Sequence, residues 1–105
     1  TSGYTYNAAH DFLDDVGAGV RLGGPSPALS SKTFAAGVFT AAALTYTGVA
    51  AASVIRGAVG YVDTGAEATS RLLWYEDSNA DGSPMNFTAD GSGIPVSWPD
   101  RIFSI

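Results

Sequence analysis

The chain has 105 residues, enough for one hydrophobic core and one domain. Charged residues are only 14% of it, below the ~25% of an ordinary soluble domain, and Ala, Gly, Ser and Thr supply nearly half. With no cysteine, disulfides, thiolate metal sites and cysteine nucleophiles are excluded together.

The net charge of −5 is unevenly placed. Arg21, Lys32 and Arg56 balance Asp11, Asp14 and Asp15 in the first part, so the whole excess of acid falls after residue 62. Five scattered Lys and Arg residues do not make a nucleic-acid surface, because phosphate contacts need clustered cations. A membrane span is not expected either. The longest low-charge stretch, residues 33–55, is interrupted by Gly, Thr and Ser and alternates rather than running solidly apolar. No leader pattern opens the chain, and Thr1 is read as following an initiator Met that was removed or left unnumbered.

In chain order, residues 7–16 read as a short helix. Phe12, Leu13 and Val16 share one side, Asn7 is the N-cap, and Gly17 and Gly19 end it. Residues 19–22 read as a short extended piece closed by the Gly23-Gly24-Pro25-Ser26-Pro27 loop. Strands are expected over 28–34 and 37–40, and over 43–49, where Leu44 and Tyr46 alternate with Thr45 and Thr47. The strongest strand signal is 53–62, with Ile55, Val59 and Tyr61 on one face and Val54, Ala58 and Val62 on the other. Its glycines weaken a strand but admit a close neighbour. Asp63-Thr64-Gly65 is a turn. Residues 71–76 form the next strand, for which 83–89 or 94–98 is the expected partner, and 101–105 is a terminal apolar strand. Seven or eight short strands with turns every 8–12 residues predict an all-β chain, a compact antiparallel β-sandwich or barrel with one short N-terminal helix. It is read as one domain over 1–105, with 1–18 as an N-terminal arm and short helix.

Few residues point to chemistry. His10 is the single histidine, and adjacency to Asp11 does not make a catalytic pair because neighbouring helical residues point about 100° apart. Asp77, Asn79 and Asp81, followed by Gly82, repeat the first half of a calcium loop. Position 12 is Thr88 instead of a bidentate Glu, so a hairpin tip built from turn formers is the stronger reading. Asp90 is the spare carboxylate that would complete a site. Trp74, Tyr75, Phe87 and Trp98 near the acids raise a carbohydrate-binding module, against the plainer reading of core and interface packing. Asn86-Phe87-Thr88 fits a glycosylation sequon, which carries little weight without a secretory signal. The glycine pairs near residues 17–24 lack the helix and Lys of a phosphate loop.

The chain resembles small virion proteins of tailed bacteriophages, encoded among head genes. The resemblance runs through His10-Asp11-Phe12-Leu13-Asp14-Asp15-Val16 and Gly17-Ala18-Gly19-Val20-Arg21, then Gly37-Val38-Phe39-Thr40 with Ala43-Leu44-Thr45-Tyr46-Thr47. It continues in Val62-Asp63-Thr64-Gly65, residues 68–75, Gly93-Ile94-Pro95-Val96-Ser97-Trp98 and Arg101-Ile102-Phe103. The acidic loop 77–82 departs from it, since a plain glycine turn is expected there. The resemblance implies a non-enzymatic capsid decoration or cement protein on the virion exterior, made in the bacterial host cytoplasm and needing no cofactor. Its implied partners are the major capsid protein and other copies of itself, as a trimer. The neck or tail is the alternative location. Tyr4, Tyr6 and Phe12 are the expected contact residues, since tyrosines in a polar N-terminal stretch have no evident core partner; the alternative is that they fold back onto the chain's own sandwich.

Overall fold

A computed structural model describes residues 1–22, 27–98 and 101–104. Residues 23–26 of the loop expected at 23–27 and the expected burial of Ile105 lie outside the described residues. Among the described residues nine short strands follow in order: β1 (Thr33–Ala35), β2 (Val38–Thr40), β3 (Leu44–Tyr46), β4 (Val54–Ile55), β5 (Ala58–Tyr61), β6 (Leu72–Glu76), β7 (Phe87–Thr88), β8 (Ile94–Val96) and β9 (Phe103–Ser104). All pair antiparallel, so the all-β expectation holds. The ladders form four small sheets, β1-β2-β9, β3-β8, β4-β7 and β5-β6, and among the described residues they do not join into one continuous sheet. The Cα radius of gyration, 13.7 Å, is near the ~13 Å of a collapsed chain of this length.

The N-terminal helix is corrected. Residues 7–16 hold a turn and a 3-10 turn at Leu13–Asp15, and a second 3-10 turn, Ala18–Val20, replaces the extended piece expected at 19–22. Asn7 does cap locally, its Oδ1 accepting from Ala9 N at 2.9 Å. The helix fails because the backbone bonds elsewhere: Leu13 N donates to Ser70 O and Leu72 N to Asp11 O. Asp15 Oδ2 closes the 3-10 turn by accepting from Asp11 N and Phe12 N.

The 53–62 strand splits at Arg56 and Gly57 because Thr1 meets it there. Arg56 N donates to Thr1 O, and the Thr1 nitrogen donates to Gly57 O. The partner expected for 71–76 is also corrected: β6 pairs with β5, its neighbour in sequence, through Val59↔Tyr75 and Gly60↔Trp74. Strand β7 takes β4 and β8 takes β3. The β5–β6 glycines admit aromatic side chains rather than backbone. A Cβ on Gly57 would sit 2.7 Å from the Tyr75 ring, and one on Gly60 would overlap the Trp74 indole.

Burial is modest. Val49, Ile55 and Ala89 form one buried cluster, with Leu22, Tyr46, Met85 and Ile94 packed around it. Leu13 and Val16 are also buried, as is Ser70, whose Oγ donates to Ala66 O. Trp74, Phe39 and Phe103 make a third group, the two phenylalanine rings stacked with centroids 5.0 Å apart. Two identical tetrapeptides, Ala80-Asp81-Gly82-Ser83 and Ala89-Asp90-Gly91-Ser92, fold alike: each Asp accepts from the Ser backbone N at 2.9 Å, and each Gly has positive φ.

Candidate functional site

The N-terminal segment lies along the β5–β6 ribbon, with an open aromatic groove between them. It comprises two depressions of about 490 and 180 Å³ that share Tyr6, Leu73, Trp74 and Tyr75. Tyr4 packs edge-on to Tyr75 at 5.2 Å, while Tyr6 lies nearly parallel to Tyr75, with 9° between ring planes and centroids 6.4 Å apart. The register shift at Gly60/Tyr61 leaves Leu73 without a partner on β5. Leu73 is 52% exposed beside Tyr6, which is 64% exposed.

Two of the groove's hydroxyls are engaged within the chain. Tyr4 OH is hydrogen-bonded to His10 Nδ1 at 2.8 Å, and Tyr75 OH donates to Tyr4 O at 3.3 Å. Burial pushes the Tyr75 phenol above its ordinary range, and the nearby Asp77 charge adds to the rise. Asp77 uses its backbone oxygen to accept from Met85 N, and its carboxylate has no hydrogen-bond partner among the described residues. His10 has Tyr4, not Asp11, as its ring partner.

The structure therefore gives the three expected contact residues different surroundings. Tyr4 is half-buried between His10 and Tyr75. Phe12 is half-buried, bridged to Arg71, whose guanidinium lies 4.8 Å from the ring centroid. Tyr6 alone presents most of its ring to solvent. Tyr75 packs against both tyrosines, so they fold back onto the chain's own strands. Sequence reasoning missed Leu73 and the Tyr4–His10 bond. A six-residue separation between Tyr4 and His10 is invisible to helical or strand periodicity, although a turn at residues 7–10 brings them together.

The 77–82 segment is a hairpin tip. Asp81 accepts from both the backbone N and the hydroxyl of Ser83, which lowers its carboxyl below the usual range. Asn79 acts as a donor, its amide bonded to Ser83 Oγ and Pro84 O. Asp90 is likewise held low by Ser92, hydroxyl first and backbone second. Among the described residues no three His, Cys, Asp or Glu side chains gather where a metal ion would sit. No described helix is long and apolar enough to cross a membrane.

Of the aromatics raised for sugar binding, Trp74 spends its ring on Phe39 and Phe103, Trp98 is half-buried, and Phe87 stands 41% exposed on β7. A second exposed apolar site is the β1–β2 hairpin, where Phe34 is 56% exposed and every β1 residue faces solvent. Comparison with protein-family models finds no match, and comparison with curated proteins finds no relative.

Proposed function

We propose that this chain is a non-enzymatic structural protein of a tailed-phage virion, bound to the outer surface of the capsid as a decoration or cement protein. The observation that supports this most is the set of large apolar side chains it leaves in solvent.

Tyr6, Phe34, Val62, Leu73 and Phe87 carry much of that exposed apolar character. Low charge and small side chains let a partner approach closely, and charged residues are depleted at interface centres. The partners in this reading are the major capsid protein and further copies of the chain, as a trimer. Many symmetric copies then convert a modest affinity into firm attachment.

Adding the purified protein to particles that lack it tests the reading. Saturable binding and a higher particle melting temperature are expected, because a ligand that binds only the assembled shell stabilises it. Particles that neither bind the protein nor gain stability contradict it.

A further inference from the structure

We infer that the groove between the N-terminal segment and β6 is a recognition site for a proline-containing, extended peptide segment that carries an arginine. This goes beyond the capsid reading and does not depend on where in a virion the chain sits.

The walls are aromatic and ridged. Tyr6 lies parallel to Tyr75, Tyr4 stands edge-on to it, and Leu73 is exposed alongside. Such ridges accept proline rings of a polyproline II segment, which is already extended and loses little entropy on binding. The groove also has a charge preference. Asp77 is its one carboxylate, is free of hydrogen bonds among the described residues, and has no Lys or Arg in the lining to neutralise it. An arginine from the ligand would pair with Asp77 and stack on the exposed face of Tyr6. The net −5 of residues 63–105 favours a basic partner over a second acidic copy of the chain.

The same geometry disfavours a sugar. A sugar is held by several convergent polar groups around an aromatic platform. Here Tyr4 OH is taken by His10, and Tyr75 OH by the Tyr4 carbonyl. One free carboxylate among aromatic walls suits a basic, apolar peptide better than a polyol.

Titrating the isotopically labelled full chain with the peptide Arg-Pro-Leu-Pro-Pro-Leu-Pro, blocked at both ends, tests this by NMR. Saturable amide shifts at Tyr6, Leu73, Tyr75 and Asp77 are expected. Binding should weaken about tenfold in Tyr6→Ala and in Asp77→Asn, while Tyr6→Phe retains it. Both positions are exposed, so the variants keep the fold, checked by unchanged shifts in β3 and β8. No shifts at millimolar peptide, equal binding of a version with Glu in place of Arg, or saturable binding of chitooligosaccharide in its place would each overturn the proposal.

Discussion

The indole of Trp74 occupies the space where a side chain at Gly60 would begin. The two residues face each other across the β5–β6 ribbon, and a Cβ on Gly60 would overlap Cε2, Cζ2 and Cη2 of the indole. Glycine is required here by packing and not by a left-handed backbone, since Gly60 is absent from the positive-φ residues. The indole in turn rests on Phe39 and Phe103, so the glycine ties the β5–β6 ribbon to the β1-β2-β9 sheet. Gly60→Ala is expected to destabilise the chain by about 1–3 kcal/mol, the cost of overpacking a filled site. Urea unfolding followed by tryptophan fluorescence measures it, and an unchanged midpoint would contradict the packing described.

The β1–β2 hairpin carries the opposite kind of defect. Its two-residue turn puts Ala36 at φ 52 and Gly37 at φ 78, both in the left-handed region favoured by this hairpin type. Ala tolerates that region poorly, at a cost of roughly 1–2 kcal/mol. Ala36→Asn creates the preferred Asn-Gly pair and is expected to stabilise the chain by about 0.5–1 kcal/mol. A thermal melt that falls instead would place the turn elsewhere.

Acid sensitivity follows from the carboxylates held low, Asp15 and Glu67 beside Asp81 and Asp90. Asp15 is held below its ordinary range by hydrogen bonds from the backbone of Phe12 and then Asp11, and Glu67 by the Arg21 guanidinium, which grips both its oxygens at 2.8 and 3.0 Å. Their folded-state values lie below the unfolded ones, about 3.9 for Asp and 4.3 for Glu. The stability they contribute is therefore complete above those values and is lost as pH falls through the depressed folded ones. Both groups are solvent-exposed, so the effect is small and screened by salt. Asp15→Asn with Glu67→Gln should make the stability profile shallower below about pH 4, with Asp81 and Asp90 keeping the remaining slope. Parallel profiles for the variant and the parent would refute this origin.

Calcium should have no effect on the 77–82 loop. Asp81 Oδ1 is committed to Ser83, and among the described residues no three His, Cys, Asp or Glu side chains gather around the loop. The melting temperature is expected to be the same in millimolar calcium and in EDTA. A calcium-dependent rise abolished by Asp81→Ala would restore the metal reading.

Local pattern carried the strands whose neighbours obey it. Leu44 and Tyr46 are half-buried around an exposed Thr45, as period-2 alternation requires, and the 37–40 and 71–76 elements appear within a residue or two of their expected bounds. What escaped was decided by distant partners. Phe12, Leu13 and Val16 have helical spacing, yet Ser70 and Leu72 claim the backbone around them. Thr1 breaks an apparently continuous strand at Gly57. The groove was half legible: Tyr4 and Tyr6 stood out as tyrosines in a polar stretch, but nothing local marks Tyr75, 71 residues from Tyr4, as their shared partner.

The most direct test is the number of copies of this chain in purified virions, counted by quantitative mass spectrometry against the major capsid protein. The decoration reading predicts a ratio near one or a simple large fraction of one. A few to a dozen copies per particle would assign the chain to the neck or tail, and its absence from the particle would contradict a virion role altogether.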